Sequence, residues 1–149
     1  MVLNSDCVRD VLIYIEKHLQ YTQEQELFKH STIYPIEIQK HFTESNIYSL
    51  GDVNYSIEKL IEINYIEICS VHKDKDGNII HFQINNITWS GHEFLDNIKP
   101  SSFWDYAKQK AKSIGSISIK ALSQGASFVA NLYMTNPEEF NRIIKSCTR

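Results

Sequence analysis

The stretch Tyr65–Ile84, "YIEICSVHKDKDGNIIHFQI", decides the fold. Two runs rich in β-branched and aromatic residues flank a polar segment, "HKDKDG", in which Asp76-Gly77 is a turn dipeptide. Together they read as a β-hairpin. With a two-residue turn at Asp76-Gly77, Lys75 pairs with Asn78 and His72 faces His81 across the strands, their Cβ atoms about 5 Å apart. Facing imidazoles are able to share a transition metal or titrate together, but local geometry fixes no third ligand, so the pair reads as a solvated cross-strand contact. "DKDGN" also imitates a calcium loop, yet the later positions that need Gly and Glu hold Ile79 and Asn85, so that reading fails.

Outward from the hairpin toward the N-terminus, "NSDCVRDVLIYIEKHL" spaces Val8, Val11, Leu12, Ile15 and Leu19 for one helix face, with Ser5 or Asp6 as its cap. Past the loop Gln20–Pro35, Ile36 and Ile38 alternate around Glu37 and predict a short strand. Thr43 or Ser45 then caps a brief helix broken by Gly51, and Asp52 caps a second whose apolar face is Val53, Ile57, Leu60 and Ile61. Two helices meeting at a tight break read as a helix-turn-helix. Helix, strand, helix, helix, hairpin is the order of a winged helix-turn-helix domain, with the hairpin as its wing. Toward the C-terminus, "TWSGHEFLDNI", "PSSFWDYAKQKAKSIG" and "SISIKALSQGASFVANLYM" predict three more helices, and Pro137 opens a short last one in the tail after Asn136. The expected class is mainly α (α+β): a winged helix-turn-helix over 1–99 and a C-terminal helical extension over 100–149.

"SGHEFLD" is written in metal-site letters. A zinc-protease helix needs histidines at i and i+4 around a Glu, plus a third ligand. Here the i+4 position is Asp96, which leaves half a site with His92. The structural reading uses more of the letters: Ser90 and Glu93 make a capping box, while Phe94, Leu95 and Ile98 supply a core face. If the helix starts one turn earlier, Thr88 caps it instead.

Composition narrows the function. The chain has 149 residues, 42% hydrophobic and 22% charged, enough for one core with appended helices. Its net charge of -3 hides an asymmetry: Met1–Ser70 has 5 Lys/Arg against 11 Asp/Glu, and Val71–Arg149 has 10 against 7. Cys7, Cys69 and Cys147 show no C-x-x-C spacing, and with no charged-then-apolar leader at the start, a reducing cytoplasm is expected. Ile114–Met134 is interrupted by Lys120, Gln124 and Asn131, so no membrane span is expected. No nucleophile elbow, cysteine-protease signature or Gly-rich phosphate loop occurs. The chain therefore reads as a non-enzyme, with no catalytic residue, metal or cofactor to assign.

The step Ile87-Thr88-x-x-Gly91-x-x-x-Leu95 resembles the segment after the wing in many bacterial winged-helix regulators, where the Thr caps a helix and the Gly packs it close to the sheet. More widely, "DCVRDVL" (Asp6, Arg9, Leu12), "NYIE" (Asn64–Glu67), "TWSGHEFLD" (Thr88–Asp96) and "FWDYAKQKAKSIGSIS" (Phe103–Ser118) resemble an uncharacterised family of short winged-helix proteins of phages and prophages. The resemblance covers about Asp6–Leu132 and implies a winged helix in a mobile-element setting, with no activity to carry over.

Two functions follow as expectations, DNA-binding regulation placed first on fold analogy and a protein-interaction module as the alternative. As a DNA-binding regulator, the chain would present Asn54, Tyr55 and Lys59 to the groove and Lys73 and Lys75 to the backbone, although Asp52, Glu58 and Glu62 make that helix a mediocre reader. As a protein-interaction module, it would engage a host protein or a second copy of itself through Ile117, Leu122, Phe128 and Leu132. Small residues such as Gly125 and Ala126 allow close helix approach there.

Overall fold

The computed structural model describes residues 1–21, 31–113, 115 and 118–147. It is mostly helical with one antiparallel hairpin. The elements are α1 (Ser5–His18), α2 (Pro35–Glu44), α3 (Leu50–Glu62), β1 (Ile66–Lys73), β2 (Ile79–Ile87), α4 (Trp89–Ile98), α5 (Ser101–Ser113), α6 (Ile119–Thr135) and α7 (Pro137–Cys147). The chain divides into two compact units, Met1–His92 and Glu93–Arg149, a division that falls inside α4.

In the first unit α1 packs on α3, which also meets α2 and β1. The predicted stripe is the buried one: Val8, Val11, Leu12 and Ile15 of α1 lie in the core with Ile38, Phe42, Val53, Ile57 and Leu60. The cap of α1 is Asn4 instead of Ser5 or Asp6, its Oδ1 accepting the Cys7 N–H at 3.1 Å.

The strand predicted at Ile36–Ile38 is the first turn of α2. Pro35 sits at the helix start with φ already suited to it, and the Glu37 carboxylate accepts the Tyr34 N–H at 2.7 Å. The i and i+4 pair Ile38 and Phe42, both buried, then outweighs the two-residue alternation. Ile33, ahead of α2, forms an isolated antiparallel bridge with Ile84 of β2. Thr43 and Ser45 open no helix; Thr43 lies in the last turn of α2 and Ser45 is its C-cap, and their hydroxyls donate back to the carbonyls of Gln39 and His41. Gly51 does not break a helix either, because α3 begins at Leu50 and the Ser49 Oγ accepts the Asp52 N–H at 3.1 Å.

The hairpin turn is longer than the dipeptide suggested. Asp74, not Lys75, pairs with Asn78, its N–H donating to the Asn78 carbonyl at 2.9 Å, and Gly77 takes φ 84°. One Asp74 oxygen accepts the Asp76 and Asn78 N–H groups, each at 2.9 Å, and these bonds, those to Asn78 first, hold its carboxyl below the ordinary range. After β2, α4 is capped by Thr88, whose Oγ1 accepts the Gly91 N–H at 3.1 Å and donates to the Asn64 carbonyl at 2.6 Å. Gly91 lies so close to the Tyr65 carbonyl that a Cβ there would stand 2.2 Å from its oxygen.

In the second unit α5, α6 and α7 pack on one another. Ser118 caps α6 through the Ala121 N–H at 3.1 Å. Gly125 brings α6 against α5, where an added Cβ would stand 3.1 Å from the Ala107 Cα. Tyr106, Val129 and Phe140 form a core cluster on which Phe103, Leu132, Ile143 and Ile144 pack.

Candidate interaction surface

The residues singled out for DNA contact do not assemble into a basic surface. Asn54 is exposed on α3, but its Oδ1 accepts the Gln39 Nε2–H at 2.7 Å. Lys59 lies 5.3 Å above the Tyr55 ring and bonds to Glu62, with Glu58 at 3.9 Å. The bond to Glu62 raises the lysine above its ordinary pKa, and its charge is matched locally by two carboxylates. Lys73 and Lys75 are exposed at the hairpin tip beside Asp74 and Asp76.

What lies between α3 and β2 is a groove of about 750 Å³. Ile57 and Ile61 of α3, Ile36 of α2, and Ile79, Ile80 and Phe82 of β2 line it, with Asn54, Glu58 and His81 among its polar residues. Ile36 is 51% exposed and Ile80 67%, large values for isoleucine beside an unfilled groove. Tyr34 sits at its α2 side, its phenolic oxygen accepting the Gln83 Nε2–H at 3.0 Å. Its ring is 5.6 Å from that of His81, which in turn faces His72 at 5.7 Å. None of Tyr34, Ile36, Ile79, Ile80 and Phe82 was a sequence candidate, and the adjacent Ile79-Ile80 pair, which puts an apolar side chain on each face of a strand, was the available signal.

The metal-like letters disperse. His92 lines a small hollow of about 170 Å³ with Glu16, Asn85 and Asn86, whereas Glu93 and Asp96 line another of about 390 Å³ with Ser127 and Asn131. Among the described residues, no three His, Cys, Asp or Glu side chains come together as a metal-binding group.

Residues 2–118 match the family described as "Hypothetical protein (DUF2513)". The chain belongs to that family. The DUF2513 span runs from ahead of α1 through α5 and includes the hairpin, the Thr88 cap and Gly91. It stops short of α6, earlier than the Leu132 limit that the resemblance suggested. No curated protein and no solved structure matches the chain.

The interface candidates lie at or beyond the end of the DUF2513 span. Ile117 is outside the described residues. Leu122 is fully buried. Leu132 is half-buried against the Tyr106 cluster. Phe128 is 51% exposed and stacks on Tyr106 with ring centroids 6.0 Å apart. No helix among the described residues is long and apolar enough to cross a membrane.

Proposed function

We propose that the first unit is a winged helix-turn-helix used as a protein-binding module, non-enzymatic, which holds its partner in the groove between α3 and β2. The winged-helix reading is supported by the order α1, the lone rung at Ile33, α2, α3 and hairpin. The observation that carries the function is the exposure of Ile36, Ile79 and Ile80 around the groove. Apolar surface of that kind marks interaction sites, whereas a DNA reader presents Arg, Lys, Asn or Gln there. The acidic balance of Met1–Ser70 points the same way. A phage or mobile-element factor that engages a host protein is the setting this role fits, and that setting rests on the family resemblance.

DNA binding is the second reading, favoured by exposed Lys73 and Lys75 at the hairpin tip. The test pairs two variants. Affinity capture from bacterial lysate should be lost with Ile80→Asp and retained with Lys73→Glu/Lys75→Glu. Anisotropy titration against random-sequence duplexes should show no binding. Duplex binding that weakens steeply with salt and disappears in the double lysine variant refutes the protein-binding reading.

A further inference from the structure

We infer that His72 and His81 are half of a tetrahedral site for a divalent transition ion of the zinc kind, completed by the same two side chains of a second copy of this chain. The inference goes beyond the groove reading and does not rest on it. The pair forms one rung of the hairpin, set between two irregularities. β1 advances three residues from Cys69 to His72 while β2 advances two from Gln83 to His81, and Ile80 is an extra residue between His81 and Ile79. Irregularities of this kind re-aim the side chains beside them. The two imidazole rings stand with centroids 5.7 Å apart and planes 40° from parallel. With a metal–nitrogen bond of about 2.1 Å, an ion lies about 3.2 Å from the centre of each ring it binds, and two rings at the tetrahedral angle then stand about 5.3 Å apart. The rings are therefore already spaced for one ion. Both histidines are exposed, and turning each ring about χ2, a soft torsion, aims a nitrogen at the common centre while leaving the ring centres in place.

Two nitrogens do not close a structural zinc site, which takes four protein ligands. Within the described residues the chain supplies no more: no third His, Cys, Asp or Glu joins the pair to make a metal-binding group. Cys69 is the nearest soft ligand along β1, but it pairs with Gln83 on the neighbouring rung. A two-fold axis through the ion supplies the missing ligands from the same two residues, because an isologous contact presents one patch on both copies. The setting of the pair favours a second chain over water in those positions. Val71, Ile79 and Ile80, which flank the two histidines in sequence, are all exposed. Copies joined through the ion cover these side chains, and removing them from water adds to the attraction. Coordination also displaces little, since the contacts of the two rings are with each other and with the Tyr34 ring, 5.6 Å from that of His81.

The test follows the full chain by sedimentation velocity, first in EDTA and then with zinc chloride at one ion per chain, and counts the zinc retained after gel filtration. Zinc should double the mass of the species present in EDTA, with one ion retained per two chains. His72→Ala and His81→Ala should each abolish the doubling, with circular dichroism unchanged because both side chains are exposed. Cys69→Ser should double as the wild type does. No change of mass on adding zinc overturns the inference, and so does one ion per chain without association. Doubling that survives in both histidine variants places the ion elsewhere and overturns it. Loss of doubling in Cys69→Ser puts a thiolate in the ligand set, and loss in Phe128→Asp gives the contact to the C-terminal helices; either result overturns the four-histidine site. The groove reading is decided separately, by lysate capture in EDTA with Ile80→Asp.

Discussion

Gly91→Ala sets two estimates of opposite sign against each other. Intrinsic helix propensity favours alanine by about 1 kcal/mol, so the local expectation for a residue in the first turn of α4 is a more stable protein. The added Cβ, however, would stand 2.2 Å from the Tyr65 carbonyl oxygen and 2.8 Å from Ile87 Cγ2. A comfortable carbon–oxygen contact is about 3.3 Å, so the backbone must open by about 1 Å. It is poorly placed to do so. The Tyr65 carbonyl accepts the Thr88 N–H at 3.0 Å, the Tyr65 N–H donates to Leu60 at 2.9 Å, and Thr88 Oγ1 holds the Asn64 carbonyl at 2.6 Å. Overpacking costs about 1–3 kcal/mol when side chains can yield, and more when backbone must. A net loss of about 2 kcal/mol or more follows after propensity is subtracted. For a unit of this size that lowers the thermal midpoint by about 8–16 °C, measurable by circular dichroism alongside urea unfolding. Gly51→Ala is the control: its nearest neighbour is Ser49 Oγ at 3.8 Å, so alanine should be neutral or stabilising by up to about 1 kcal/mol. A Gly91→Ala midpoint equal to or above that of the wild type refutes the reasoning.

Three further outcomes are expected. Burial pushes the Cys7 thiol up to about 11, against a pull in the other direction from Ser56, whereas the unfolded thiol ionises near 9.0. The folded state thus keeps a proton that the unfolded state loses, and stability should fall as pH rises from about 9 through 11; urea midpoints across that range, compared with Cys7→Ala, isolate the component, and identical slopes argue against it. Asp74 has the opposite sign: its carboxyl is held below the ordinary 3.8, chiefly by Asn78, so its contribution to the turn is present above about pH 4 and lost as pH falls through the lower folded value. The Asp76 and Asn78 amide shifts should report that loss by NMR, and shifts that follow an ordinary aspartate titration count against it. A homodimer through the C-terminal helices needs the exposed Phe128, so Phe128→Asp should convert dimer to monomer in sedimentation velocity, and a monomeric wild type ends that reading.

Periodicity was a sufficient guide wherever a face was both long and continuous, as in α1, the second half of α3, and α5 to α7. It failed over short windows. Ile36 and Ile38 look like strand alternation until Pro35, Glu37 and Phe42 are weighed with them, and then the helix start is written in the sequence. The hairpin shows a subtler case. A two-residue turn at Asp76-Gly77 predicts the His72–His81 pair, and the structure has that pair, but for a different reason. Pairing Asp74 with Asn78 lengthens the loop and moves the register by one, as Lys73 opposite Ile79 shows. An irregularity between His72 and Lys73 moves it back. Turn chemistry alone does not encode that compensation, which depends on both strands being laid down together.

The interaction surface was less legible because its chemistry is that of a core. Sequence reasoning ranks Asn54, Tyr55 and Lys59 as contacts since polar groups on a helix face outward, yet Asn54 is bonded to Gln39 and Lys59 to Glu62. It gives Ile36, Ile79 and Ile80 no functional role, since isoleucine is usually buried, yet all three are exposed. Whether an isoleucine is inside depends on how far its strand outruns the helices that cover it. Here Ile84 is buried and bridged by Ile33, and the strand continues to Ile79 beyond it. Two consecutive exposed isoleucines in an overhanging strand cost solubility unless something uses them. That cost, set beside an α3 face whose lysine is matched by two carboxylates, is the physical reason to look for a protein partner at the groove before looking for DNA at α3.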